Sequence, residues 1–203
     1  DAESFWIVSY LETLLMRVWY PITVATTSWH VRRIIAEFLE ATSDDPAGQL
    51  PFKLHDFGAR GVSSTESSAI GGAAHLVNFM GSDTVLGVVA ANRYYPDPML
   101  GAKMMAGYSI PAAEHSTITS WGREGEIDAY RNMLALFARP GSLVAVVSDS
   151  YDLFAAIEAW GTTLKQAVIA SGATVVIRPD SGNPAEIVLK AAIALDRHFG
   201  SAL

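Results

Sequence analysis

Arg178-Pro179-Asp180-Ser181-Gly182-Asn183-Pro184 places a fixed cation, a carboxylate, a hydroxyl and turn-forming backbone in one short stretch. It directly follows the apolar β-branched run Thr174-Val175-Val176-Ile177. Such an order reads as strand, loop, helix. In α/β folds, the loop leaving the carboxyl end of a strand is where ligands bind. The side chains suit a phosphorylated or otherwise anionic small molecule. Helix capping accounts for part of the motif: Asn183 as N-cap, Pro184 at the first helical position and Glu186 completing a capping box. It does not account for Arg178 and Asp180, which we single out as functional.

Further polar clusters end other apolar runs. His55-Asp56-Phe57-Gly58-Ala59-Arg60-Gly61 sets an aromatic ring and an arginine among glycines. The glycines permit close backbone approach to a ligand. Phe57 is suited to stacking on a flat ring and Arg60 to gripping phosphate bidentately, although an ordinary turn would read the same. In Pro111-Ala112-Ala113-Glu114-His115-Ser116-Thr117 a histidine lies beside a carboxylate. Histidine serves as acid, base or phosphoryl acceptor, or simply as a structural residue. Ser148-Asp149-Ser150-Tyr151-Asp152 follows the buried run Leu143–Val147. That place suits a ligand contact or a carboxylate orienting a histidine; helix capping by Ser150 or Asp149 is the competing explanation.

The elements that must position these residues follow from periodicity. Apolar spacing predicts a helix over 4–19, broken by Pro21, and a second over 23–41. A short strand is expected within 52–57. Ser64 is placed to cap a helix running to about Phe79. A short strand at Thr84-Val85 and a helix over 87–95 follow, then an irregular methionine-rich loop from Pro96 to Gly107. Beyond it we expect a strand end and loop over 109–115 and a helix over 121–137. The strand at 143–147 and helices over 152–160 and 163–170 come next. The strand at 174 and a helix over 185–199 complete the order. Alternating strands and helices imply parallel strands with right-handed crossovers. The expected class is α/β, with residues 1–50 a helical segment and 51–203 part of a βα barrel or an open doubly wound sheet.

Composition narrows the function. The 203-residue chain is half hydrophobic and 17% charged, enough for a folded core. It contains no cysteine, which removes disulfides and thiolate metal sites and leans towards a cytoplasmic protein. Its formal charge is −7 with no basic stripe, against nucleic-acid binding. The apolar run 5–29 is interrupted by Glu12, Arg17 and Pro21, so a buried helix pair is expected rather than a membrane span. There is no P-loop, GxGxxG, GxSxG or HExxH pattern, so no metal site is assigned. The small-residue run Ile70-Gly71-Gly72-Ala73 reads as close helix packing. Both ends break inside the pattern, and the expectation is a piece of something longer.

Together the clusters resemble the nicotinamide phosphoribosyltransferase family. The resemblance rests on Trp19–Thr26, Lys53–Gly58 with Arg60–Ser64, Ala74–Phe79, Gly107–Ser109 with Pro111–Thr119, Val147–Asp152 and Ile177–Pro184, in family order along nearly the whole chain. It implies an irregular, TIM-like βα barrel and synthesis of nicotinamide mononucleotide and pyrophosphate from nicotinamide and phosphoribosyl pyrophosphate. Mg2+ would accompany the phosphates, and ATP would stimulate the reaction by phosphorylating a histidine. By resemblance, His115 matches that histidine and Asp152 the carboxylate that orients it. Phe57 matches one face of the aromatic sandwich around the pyridine ring, and Asp83 the acceptor of the carboxamide N–H. Arg178, Arg60 and Asp180 match ligand-binding positions, and Ser109 and Ala112 line the tunnel beside the ring. Ser148 joins the substrate-binding set.

The resemblance also implies a cytoplasmic homodimer. An Asp83 carboxylate should repel nicotinate, which makes a nicotinate phosphoribosyltransferase the nearest rival; a non-catalytic ligand-binding fragment is the other. The chain departs from the family in lacking its later glycine-rich phosphate loops and its N-terminal tyrosine segment. It also carries Ala59 where tyrosine is common, and Met99–Ala106 reads as an insertion.

Overall fold

The structure is a computed structural model that describes residues 3–96 and 106–200. The expected methionine-rich loop and insertion lie almost wholly outside the described residues. The chain divides into two compact units, 1–109 and 110–203. The N-terminal helix, read from periodicity as a segment of its own over 1–50, packs onto later helices of the first unit.

In the first unit, α1 (Ile7–Thr42) is a single helix with Pro21 inside it. The expected break does not occur. Anchors on either side of the proline hold both halves against α3 (Thr65–His75) and the turn that follows it. The Tyr20 hydroxyl lies where a Cβ on Gly71 would stand. Downstream, Asn78 Nδ2 donates to the Ala25 carbonyl at 2.9 Å, and an Arg32 guanidinium N–H donates to the Asn78 carbonyl at 2.6 Å. These contacts offset the hydrogen bond that proline cannot make. The burial expected of the apolar N-terminal residues is absent: Trp6, Tyr10, Leu14 and Trp19 are all exposed.

After the one-turn helix α2 (Pro46–Gln49), strand β1 (His55–Asp56) pairs in parallel with β2 (Gly81–Ser82) across α3. β1 is shorter than the stretch expected, and β2 precedes the expected Thr84-Val85. Ser64 caps α3 as predicted, its hydroxyl accepting from the Ser67 N–H at 3.0 Å, but α3 ends at His75. Helix α4 (Val85–Tyr94) leads back to Tyr108, which bridges Gly81 in parallel. The small-residue reading of 70–73 holds: a Cβ on Gly72 would come within 2.8 Å of Gly87 Cα, so α3 and α4 meet backbone to backbone. Phe79, Ala90, Ala91 and the buried His75 form the interior here.

In the second unit, Ala112 bridges Ala145 in parallel, and α5 (His115–Thr119) and α6 (Glu126–Phe137) lead to β3 (Leu143–Val147). β3 pairs in parallel with β4 (Thr174–Arg178) across α7 (Leu153–Gly161) and α8 (Lys165–Ser171). Helix α9 (Pro184–Phe199) closes the order and packs on α7 through Ala191, Leu153 and Ile157. Val144, Val146 and Val147 are fully buried with Ile118, Tyr130, Trp160 and Leu164. The Tyr130 and Trp160 rings stack at 4.8 Å.

The chain is thus mixed α/β, with parallel neighbours joined by helical crossovers. The described residues contain two small parallel sheets, one of two strands in each unit, and the closed barrel implied by the resemblance is not among them. No described helix is both long and apolar enough to cross a membrane.

Candidate functional site

Each unit gathers its polar residues just past the carboxyl ends of its parallel segments. In the second unit, β3 and β4 end in register, Val147 opposite Arg178. Asp149 and Asp180 each follow by two positions and come level. Left bare, two carboxylates there would repel. The Asp180 backbone N–H instead donates to Asp149 Oδ2 at 2.8 Å, and the Ser181 hydroxyl donates to the same oxygen at 2.6 Å. His115, the first residue of α5, brings Nε2 to 3.0 Å from Asp149 Oδ1 and Nδ1 to 3.8 Å from Asp180 Oδ2.

Burial pushes the Asp149 carboxyl upward, but donation from Ser181, Asp180 and His115 prevails and holds it below its ordinary value. An ionised carboxylate only accepts. The proton of a neutral His115 therefore sits on Nε2, and Nδ1 carries the lone pair.

The expected pairing of His115 with Asp152 is corrected. The Asp152 carboxylate accepts from the Phe154 and Ala155 N–H groups, each at 3.0 Å, and caps α7. Asp149 takes the orienting place. Its signal in the sequence was its position straight after the buried strand, where capping by Asp149 was the competing explanation. Glu114, the carboxylate next to His115 in sequence, is the N-cap residue of α5.

Ser148 is also corrected as a ligand contact. Its hydroxyl is buried, donating to the Val146 carbonyl at 3.0 Å and accepting from Trp160 Nε1 at 3.1 Å. The alternation of side chains along β3 turns it into the core. Arg178 behaves differently: one terminal N–H donates to the Ala113 carbonyl at 3.0 Å, while Nε is buried without a hydrogen-bond partner. A buried guanidinium donor left unsatisfied is costly, and an oxygen acceptor placed there would relieve that cost. Asp180 is exposed, as is Ala112, which enters the site only through its backbone bridge.

In the first unit, Asp83 directly follows β2. Its N–H donates to the Asp56 carbonyl at 2.9 Å, which ties it to β1. His55 Nε2 lies 3.0 Å from Asp83 Oδ1, and the Ser109 hydroxyl donates to that same oxygen. The Phe57 ring is half exposed and meets the His55 ring at 4.8 Å with the planes 37° apart. The Asp56 carboxylate accepts from the Gly58 N–H at 2.7 Å and shapes this turn. Arg60 lies exposed in the 3₁₀ turn Gly58–Gly61. The first unit thus brings together Phe57, Asp83 and Ser109, joined by His55, whose place in the sequence motif carried no signal of that role. The second brings together His115, Asp180 and Arg178, joined by Asp149. Among the described residues, no group of three or more His, Asp or Glu side chains is disposed to hold a metal ion.

The chain is similar in sequence to known proteins. Residues 52–203 match the model of the nicotinate phosphoribosyltransferase family. The chain is 67% identical to a nicotinamide phosphoribosyltransferase of Xanthomonas campestris, over 98% of this chain and 42% of that protein. It is 32% identical to one of Acinetobacter baylyi, over 93% of this chain and 37% of that protein. It is 34% identical to one of Mycoplasma pneumoniae, over 89% and 36% respectively. The chain therefore spans about two fifths of the length of these curated relatives. With three quarters of its residues inside the family model, the chain belongs to the nicotinate phosphoribosyltransferase family.

Proposed function

We propose that the full-length protein is a nicotinamide phosphoribosyltransferase. It would form nicotinamide mononucleotide and pyrophosphate from nicotinamide and phosphoribosyl pyrophosphate, within an irregular βα barrel. The observation that carries this reading is Asp83, a carboxylate tied to two strands and braced by His55 and Ser109. A carboxylate accepts from the NH2 of a carboxamide and repels the carboxylate of nicotinate. It therefore favours the amide, the base named by the 67% identical relative, over the acid in the family's name. The parallel strand–helix–strand connections within each unit support the barrel.

In the first unit, Phe57 offers a flat face to the pyridine ring, Ser109 would lie beside it, and Arg60 is suited to phosphate. In the second unit, Arg178 is suited to an anionic group of the substrate. The pyridine nitrogen forms its bond to the anomeric carbon as the bond to the pyrophosphate oxygen breaks. Charge develops on the leaving group, and cationic donors stabilise it.

Mg2+ would arrive on the phosphates, keep most of its waters and need one or two carboxylates. The exposed Asp180 is suited to that part; when bound, the ion would neutralise pyrophosphate charge. ATP would couple through His115: Nδ1, left with its lone pair by the Nε2–Asp149 contact, takes the γ-phosphoryl group as the bond to ADP breaks.

A homodimer acting in the cytoplasm completes the proposal. The exposed apolar residues of α1 and the lack of cysteine support it. The test is incubation of the full-length protein with γ-labelled ATP: label on His115, absent from His115→Ala, is expected. A protein that only binds its ligands would remain unlabelled.

A further inference from the structure

Both groups assigned to the pyridine base, the Phe57 ring and the Asp83 carboxylate, touch a side chain to which the proposed reaction gives no role. His55 lies in β1 with Nε2 3.0 Å from Asp83 Oδ1 and its ring 4.8 Å from that of Phe57. The place for the imidazole is built into the neighbouring strand: a Cβ on Gly81 would approach His55 Nδ1 to 2.8 Å. The Ser109 hydroxyl donates to the same Asp83 oxygen, and the Asp83 N–H is held by the Asp56 carbonyl. The carboxylate is thus gripped from consecutive parallel segments, and the aromatic face is braced by one of the same side chains.

We propose that His55 is a positioning residue that sets the choice between a carboxamide and a carboxylate on the pyridine ring. The inference rests on the nicotinamide reading above. Selection against nicotinate depends on repulsion, and repulsion requires a carboxylate that cannot turn away. With His55 donating from Nε2, Asp83 is held on its contact with the amide. Without that donor, Asp83 keeps its contact with Ser109 but its orientation is held less firmly. The amide then loses an ordered acceptor, the acid no longer meets a fixed like charge, and Phe57 loses the ring behind it. All three effects lower the preference for nicotinamide.

The test measures kcat and KM for both bases with full-length wild type, His55→Ala, His55→Gln and His55→Phe, each alone and with Asp83→Asn. Loss of a hydrogen bond to a charged group corresponds to roughly tenfold or more. His55→Ala should therefore raise KM for nicotinamide by about that factor, with kcat changing less. The nicotinamide-to-nicotinate ratio of kcat/KM should fall at least as far. His55→Gln, which keeps an N–H donor, should recover part of the ratio. In the Asp83→Asn background, His55→Ala should leave the ratio where it stands. If His55→Ala does not fold, His55→Phe keeps a ring beside Phe57 and removes the donor, and its ratio must fall. An unchanged ratio in a folded donor-less variant, or an equal loss for both bases, overturns the role of His55 and leaves the nicotinamide reading intact. A wild-type protein that converts neither base overturns that reading and the inference with it.

Discussion

The Asp149 side chain is one-twentieth exposed and clasped by three donors, whereas Asp152, a turn of chain later, caps a helix at the surface. The two carboxylates therefore respond differently to removal. Asp149→Ala frees the His115 tautomer and should cut phosphate labelling of His115 by roughly tenfold or more, the worth of a charge-assisted hydrogen bond. Asp152→Ala should leave labelling intact and cost about 1 kcal/mol of stability, as lost N-caps do. Equal loss of labelling in both variants would contradict this division. The sequence located the cluster, since a polar run straight after a buried strand marks a strand's carboxyl end. It did not tell Asp149 from Asp152, because their roles depend on the register of β3 with β4 and on α7 starting at Leu153. Ser148 was misread for a related reason: strand alternation carries one residue past Val147 and turns the hydroxyl inward to Trp160.

Helix α3 carries two consequences at the scale of the element. Its Gly72 touches Gly87, and Gly72→Ala should cost about 1–3 kcal/mol by forcing α3 from α4, read as a lower denaturation midpoint. Its His75 is buried, stacks on Phe79 and lies 3.0 Å from the Gly81 carbonyl through Nε2. Burial lowers its pKa, opposed by that backbone contact. Below the ordinary value of 6.5 the unfolded chain takes up the proton and the folded chain does not. Stability should therefore be full above that pH and decline as pH falls towards the lowered folded value. Urea denaturation between pH 7 and 5 should show this decline in the wild type and a flatter profile in His75→Gln; parallel profiles would contradict it.

Most elements were legible from periodicity: Ser64 as a cap, the strands at 143 and 174, and α9 with Asn183 accepting from the Glu186 N–H. Pro21 was not, because the contacts that carry α1 through it, from Tyr20, Ala25 and Arg32, are tertiary. β1 and β2 were misjudged in length and place, since such short strands are set by pairing rather than by pattern.

For the whole molecule, the sum of charge and the sites pull in opposite directions. Under the proposed function, a chain of net charge −7 would have to hold phosphorylated substrates with locally placed cations. Arg178, whose buried Nε has no hydrogen-bond partner, is the cation we propose for an anion. Arg178→Ala in the full-length protein should raise KM for phosphoribosyl pyrophosphate by roughly tenfold or more and leave KM for nicotinamide nearly unchanged; the reverse pattern would contradict the assignment. The chain spans about two fifths of the length of its curated relatives, and the apolar side chains of α1 are largely exposed.

The central claim is tested most directly by giving the full-length protein phosphoribosyl pyrophosphate, Mg2+ and ATP, with nicotinamide and nicotinate in parallel, and identifying the products. The account predicts nicotinamide mononucleotide and pyrophosphate, with nicotinate converted poorly. Preferential conversion of nicotinate, or no mononucleotide from either base, would contradict it.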